Sequence, residues 1–254
     1  MTVWIGTDWH LVDYNYKANM DLKSPNADKI LTKYRESVGA GDLFIFLGDL
    51  CHKLYRNEDE LCVMLEGLPG YKVMILGNHD TMSESSYYKA GFDIVCNAAS
   101  FGNLLFTHKP VYLPKEVNLV NIHGHLHDKV FKLFDNKHIN PYGYCHGTII
   151  ALRKLLAVFD QQVKIPEEFI DRKPDMDEML EFNQVMRPGN VFDLSELIIN
   201  GPDGKPMDET ASKCMLDDEM EILNDLVFGF DDVYLVGKLG RPDGKDENDA
   251  VLEK

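Results

Sequence analysis

Five short apolar runs punctuate the first part of the chain: Val3–Thr7, Leu43–Leu47, Lys72–Leu76, Asn103–Thr107 and Leu119–His123. Each is rich in Val, Ile, Leu or Phe, the pattern of a strand buried on both faces rather than of a half-exposed strand that alternates apolar and polar. Helical patterns lie between some of them. Ser24-Pro25 reads as an N-cap followed by a first-turn proline; Ile30, Leu31, Tyr34 and Val38 recur at helical spacing, and Gly39 stops the segment. Glu58–Glu66 predicts a second helix, and Ser83–Ala90, closed by Gly91, a third. A further strand pair is expected around Lys137–Ala151. Strands alternating with helices predict an α/β domain.

The residues immediately after each run are more informative than the run itself. Val3–Thr7 leads into Asp8-Trp9-His10, Leu43–Leu47 into Gly48-Asp49, and Lys72–Leu76 into Gly77-Asn78-His79-Asp80. Asn103–Thr107 leads into His108, and Leu119–His123 into Gly124-His125-Leu126-His127. Ligands of α/β sheets bind at the carboxyl ends of the strands, so these polar residues should converge although they are far apart in sequence. Gly48, Gly77 and Gly124 suit tight strand exits where chains approach closely.

The convergent set holds three carboxylates, one carboxamide and five imidazoles. Nitrogen and oxygen donors in this mixture suit Mn, Fe, Zn, Co or Ni better than Ca. No cysteine belongs to the set, which argues against a structural thiolate zinc site. Four ligands satisfy one ion; seven candidates point to two ions sharing a carboxylate, the usual clamp for displacement at phosphorus. His123, at the end of an apolar strand, should point away from Gly124-His125 or into the core. His52 is more readily a surface or capping residue than a pocket-lining one, His138 and His146 have no assigned role, and Tyr14 and Tyr16 are more readily packing residues than substrate contacts.

Charge divides the chain. The 254 residues carry 26 Lys+Arg and 42 Asp+Glu, a formal net charge of −16. Residues 1–157 are nearly neutral at −1, whereas 158–254 carry −15. That balance argues against long nucleic acids and anionic membrane surfaces as partners. No apolar run approaches the length that spans a bilayer, and the N-terminus has no signal-peptide pattern. Five scattered cysteines without a CxxC pair suit a reducing, cytoplasmic setting.

The ordered series Asp8-x-His10, Gly48-Asp49, Gly77-Asn78-His79-Asp80, His108 and Gly124-His125-x-His127 resembles the calcineurin-like metallophosphoesterase superfamily. His108-Lys109-Pro110 and His123-Gly124-His125-Leu126-His127 look most like its small bacterial and phage-type members. Asp-x-His alone is a weak signal; Gly-Asn-His-Asp is rare by chance, and all blocks in order are a strong one. The resemblance covers about residues 1–157 and implies a β-sandwich flanked by helices, an αββα four-layer fold. It implies that Asp8, His10, Asp49 and His127 hold a first metal, that Asp49 bridges, and that Asn78, His108 and His125 complete a second. It further implies a metal-bound hydroxide attacking a phosphomonoester or phosphodiester. His79 would serve as phosphate contact or general acid, and Asp80 would join it in a supporting role. The two divalent ions are expected to be Mn, with Fe, Zn, Co or Ni as alternatives.

Two departures matter. Many phage-type members follow the first His with another Gly-His; here Leu11-Val12-Asp13-Tyr14 stands, in a loop expected to border the substrate mouth. After Gly48-Asp49 comes Leu50-Cys51-His52 in place of the Asp-Arg-Gly of protein Ser/Thr phosphatases, which lowers the expectation of a phosphoprotein substrate.

Past residue 157 the motifs stop. Residues 158–240 are expected to form an ordered acidic accessory region, and 241–254 a disordered tail. Pro166-Glu167-Glu168 and Asp175–Met186 read as acidic helix starts, Asp217–Leu226 as an amphipathic helix and Asp232–Val236 as a strand. This region is a candidate face for a protein partner or self-association. The competing functional reading is a non-catalytic binding or scaffold protein acting through it.

Overall fold

The five apolar runs fold into strands of two different sheets. The computed structural model describes residues 1–15, 20–51, 58–127, 137–145, 147–160, 179–201, 203 and 205–228. The chain begins with β1 (Val3–Gly6), β2 (Val12–Asn15), β3 (Met20–Lys23), α1 (Ala27–Ser37), β4 (Leu43–Phe46), α2 (Glu58–Leu65), β5 (Tyr71–Ile75), α3 (Glu84–Lys89) and β6 (Ile94–Cys96). It continues with β7 (Ala98–Phe101), β8 (Leu104–Thr107), β9 (Val111–Tyr112), β10 (Val120–His123), β11 (His138–Ile139), α4 (Tyr142–Cys145), β12 (Ile149–Ala151) and α5 (Leu152–Asp160). The later part supplies β13 (Leu180–Glu181), α6 (Phe182–Val185), β14 (Val191–Asp193), a 3-10 turn at Leu194–Glu196 and α7 (Glu209–Phe228).

The first sheet has the order β12-β1-β4-β5-β6, parallel except for β12. The second has the order β11-β10-β8-β7-β14, with β7 antiparallel to β8. A single residue, Asn97, separates β6 in one sheet from β7 in the other. Val3, Ile5, Ile45 and Val73 of the first sheet share one buried cluster with Phe101, Phe106 and Ile122 of the second, so the sheets pack face to face. On the outer face of the first sheet, Phe44, Phe46 and Met74 pack against Ile30 and Tyr34 of α1 and Leu61 of α2. Trp9 lies in this layer, its ring centroid 4.8 Å from Phe46 and 5.4 Å from Phe44. Outside the second sheet, Ala98 and Leu105 meet Val111 of β9 and Val185 of α6. Two sheets with flanking helices are the expected mixed α/β sandwich.

Several local expectations change. Helix α1 starts at Ala27 with Asn26 as its cap residue, because Ser24 and Pro25 form a preceding turn in which the Ser24 carbonyl accepts the Ala27 N–H at 3.1 Å. Val12–Asn15 is no loop; Val12, Asp13 and Tyr14 form an antiparallel hairpin with Met20–Lys23. The strand pair expected around Lys137–Ala151 is two strands in different sheets: β11 adds to β10 and β12 to β1, with α4 between them. Asp217–Leu226 lies within α7, which starts earlier because the Asp208 carboxylate accepts the Ala211 N–H at 2.9 Å. Where a helix was expected over Asp175–Met186, the described residues form β13 and the single turn α6, with Leu180 pairing Val111.

The expected boundary after Ala157 falls inside α5. Beyond it the chain remains engaged with the sandwich. Strand β14 pairs in parallel with β7, and α7 packs on α5, where Arg153 donates from Nε to Glu219 Oε1 at 2.8 Å. Residues 166–168, 232–236 and 241–254, and also His52, Tyr16 and His146, lie outside the described residues. Among the described residues no helix is long and apolar enough to cross a membrane.

Candidate metal centre

The exits of β1 and β4 run side by side. The N–H of Asp8 donates to Gly48 O at 2.9 Å, that of His10 to Asp49 O at 3.1 Å, and that of Leu11 to Leu50 O at 2.8 Å. The parallel pairing of the two strands thus continues into the loops that carry Asp8, His10 and Asp49. The β5 exit is brought against the β4 exit by Asp80. Its carboxylate accepts N–H groups from Asp49 (2.7 Å), Leu50 (2.9 Å) and Gly77 (2.8 Å). The β10 exit crosses to the first sheet, where the His125 N–H donates to the Asp8 carboxylate at 3.1 Å.

These approaches need glycine. A Cβ at Gly77 would lie 2.5 Å from Asp49 N and closer still to Asp49 Oδ1. One at Gly124 would overlap Thr7 Oγ1 and come within 2.6 Å of Asp8 Oδ2. A second backbone feature has no counterpart in residue type. Among the described residues the non-glycine positions with positive φ are Asp8 (+53°), His10 (+43°), Asp49 (+59°), His125 (+67°) and His127 (+50°), all of them candidate ligands. Left-handed backbone is costly for such residues and concentrates where surrounding structure enforces it, typically at functional sites.

The side chains gather in two groups. Ligand atoms of Asp8, His10 and His127 lie within 4.8 Å of one another, as do those of Asp49, His108 and His125. Asp49 stands between the groups. Its Oδ2 is 3.4 Å from His108 Nε2 and 3.9 Å from both His10 Nε2 and His79 Nε2, while its Oδ1 accepts the His79 N–H at 2.9 Å. Asn78 joins the second group, with Oδ1 2.9 Å from His108 Nε2. Thr7 donates its hydroxyl to Asp8 Oδ2 at 2.5 Å, and His127 Nε2 sits 3.4 Å from Asp8 Oδ1.

The donor arrangement fits a cation. His108 Nδ1 faces the Leu47 carbonyl at 2.8 Å, and a carbonyl can only accept, so Nδ1 carries the proton. Burial pushes the His108 pKa down to about 4, so the ring is neutral near pH 7 and Nε2 presents a lone pair. That lone pair points at the Asn78 and Asp49 oxygens, which are acceptors too. Electron pairs converging in this way are matched by a positive ion. Burial raises the Asp8 carboxyl to about 7, opposed by the Thr7 hydrogen bond, and raises Asp80 to about 6, opposed by the amides it holds. Burial works to lower the His10 pKa, but its hydrogen bond to the Asp13 carboxylate and the charges of Asp49, Asp13 and Asp8 outweigh it and the net shift is upward.

All nine sequence-predicted site residues therefore meet at one end of the sandwich. Asp80 faces backbone amides rather than the ligand groups. His123 is buried with Nδ1 2.9 Å from Gly124 O, and His138 is buried with Nε2 2.7 Å from Val111 O; neither belongs to the two groups. Thr7, Asn140 and Tyr142 touch the ligands yet carry no signal in the sequence, because they lie outside the Asp, Asn and His blocks.

The family model for calcineurin-like phosphoesterases matches residues 1–165. The Gene 66 protein of a Mycobacterium phage is 25% identical over 160 residues, covering 51% of this chain and 80% of that protein. Among solved structures, a protein of unknown function from Aquifex aeolicus aligns with a TM-score of 0.43 and 19% identity over 61% of this chain and 97% of that one. The Pseudomonas putida nuclease MPE aligns with a TM-score of 0.36 and 16% identity over 49% of this chain and 61% of that one. With its motif blocks drawn together at the strand exits and a family model spanning more than half its length, the chain belongs to the calcineurin-like phosphoesterase family.

Proposed function

We propose that the protein is a dinuclear, metal-dependent phosphoesterase acting on a small phosphomonoester or phosphodiester. The observation that carries this reading is the position of Asp49 Oδ2 between the two ligand groups, facing His10, His79 and His108. Asp8, His10, Asp49 and His127 would hold one ion; Asp49, Asn78, His108 and His125 would hold the other. The two ions are taken to be Mn, with Fe, Zn, Co or Ni as alternatives, since a mixture of imidazole, carboxylate and carboxamide donors accepts all of them. Bound ions would supply Lewis-acid activation of water and neutralise charge on the phosphoryl oxygens. The chain's own residues do the rest. Asp49 separates and links the two groups, and Asp80 fixes the loops that present Asp49 and Gly77. His79, its side chain 28% exposed, is placed to contact phosphate or protonate the leaving oxygen.

The net charge of −16 supports small substrates over long nucleic acids. A cytoplasmic setting is part of this reading, supported by the scattered cysteines, as is a protein partner or second copy docking on the acidic residues 158–240. The test is a panel of phosphomonoesters and phosphodiesters assayed with added Mn. The expected result is metal-dependent turnover, with Asp49→Asn losing metal and activity together and His79→Ala losing turnover while keeping metal. Fully metallated wild type that turns over no ester would overturn the proposal, and full activity in His79→Ala would remove that residue's role.

A further inference from the structure

Of His10, His108 and His127, the last is the most open to solvent. Its side chain is 39% exposed, against 19% for His10 and 4% for His108. Its backbone is also left-handed, at φ +50°, a conformation that is strained for a non-glycine residue. A ligand held so loosely by burial and so unfavourably by backbone must be fixed by specific neighbours.

Two such neighbours come from the start of α4 and the residues just before it, outside every motif block. Asn140 is buried; its side-chain amide donates to the His127 carbonyl at 2.9 Å, and its Oδ1 accepts the Tyr142 N–H at 3.0 Å. One donor and one acceptor partner fix which way the amide faces. The Tyr142 ring lies against the His127 imidazole, centroids 5.0 Å apart and planes tilted by 39°. Gly147 backs that ring so closely that an added Cβ would come within 3.3 Å of it. Asn140 thus holds the His127 backbone, and Tyr142 its ring.

We propose that Asn140 and Tyr142 are positioning residues that orient His127 for the ion it shares with Asp8 and His10. The inference rests on the two-ion reading above. Residues that support a metal ligand from behind typically contribute about 10–100-fold to metal affinity. Their effect should fall on one ion, because His127, the ligand they hold, groups with Asp8 and His10 and not with Asp49, His108 and His125.

The test is calorimetric titration of Mn into chelator-stripped protein, with bound ions counted by elemental analysis. Wild type should bind two ions. Tyr142→Phe keeps the ring and should bind both as wild type does. Tyr142→Leu removes the ring, and Asn140→Asp sets an oxygen against the His127 carbonyl; each should weaken one ion by about 10–100-fold and spare the other. Thermal melting of the stripped proteins checks that each variant folds, and Tyr142→Leu decides the matter should Asn140→Asp fail to fold. Wild-type affinity for both ions in Tyr142→Leu, or equal loss of both, overturns the inference. Wild type that takes up no metal overturns the two-ion reading and this inference together.

Discussion

Replacing Gly77 by Ala separates crowding at the site from backbone strain elsewhere. Gly77 does not have a positive φ, so an added side chain meets no left-handed strain there and the crowding dominates. The new Cβ would stand 2.5 Å from Asp49 N and 3.0 Å from Asp49 Cγ, where ordinary contact begins at 3.4 Å. The β4 and β5 exits must therefore move apart by roughly 1 Å, at a cost of about 1–3 kcal/mol for overpacking. A 1 Å displacement of a catalytic group can cost about a hundredfold in rate. Gly67 supplies the comparison. Its φ is +70° with nothing within 4 Å of an added Cβ, so Gly67→Ala is strained without a clash and should cost about 1–2 kcal/mol. Both variants should melt lower by about 2–4 °C per kcal/mol, but only Gly77→Ala should lose Mn affinity and turnover. The assay is thermal melting beside Mn titration and phosphoesterase kinetics. Wild-type metal affinity and rate in Gly77→Ala, or matching losses in Gly67→Ala, would refute the reasoning.

Asp8 carries a cost that metal would relieve. Its folded pKa is raised to about 7, so in metal-free protein its ionisation opposes folding: stability falls as pH rises from about 4 to about 7 and is level above. Metal-free Asp8→Asn should then be more stable than wild type at pH 8 by on the order of 3–4 kcal/mol, with the advantage gone near pH 4. The opposite slope from His108, whose depressed pKa costs stability as pH falls toward about 4, largely cancels in the difference between the two proteins. Urea unfolding with chelator across that range measures it; a pH-independent difference would sink the idea. The Arg153–Glu219 pair should be asymmetric, because Glu219 is buried and Arg153 is half-exposed. Arg153→Ala strands a buried carboxylate and should cost about 3 kcal/mol, whereas Glu219→Gln should cost about 1 kcal/mol or less, read from denaturant midpoints.

The strands that carry the site were legible because burial on both faces makes them mostly apolar, with Asn121 of β10 among the few exceptions, so Asp8, Asp49, Asn78, His108 and His125 stand out where each run ends. Gly77 and Gly124 were legible for the same reason. The β2–β3 hairpin was not, since its alternation is short and masked by its polar members Asp13 and Asp21. Nor was the passage from β6 to β7, where Asn97 alone marks a change of sheet. The contacts of Asn140 and Tyr142 with His127 depend on tertiary placement and carry no local pattern. Left-handed backbone at five ligands is likewise a product of the assembled loops and not of residue propensity, which would have favoured glycine.

The pairing of β14 with β7 bears on how the protein is made. Val191 lies beside Ala98, roughly ninety residues away in sequence. Non-local pairings form slowly, since loop closure must precede their reward. A chain emerging from the ribosome exposes every motif block before it exposes β14. Through that interval β7 is an open strand edge, a template for pairing with another chain. The edge of the second sheet is therefore finished by residues made long after the motif blocks.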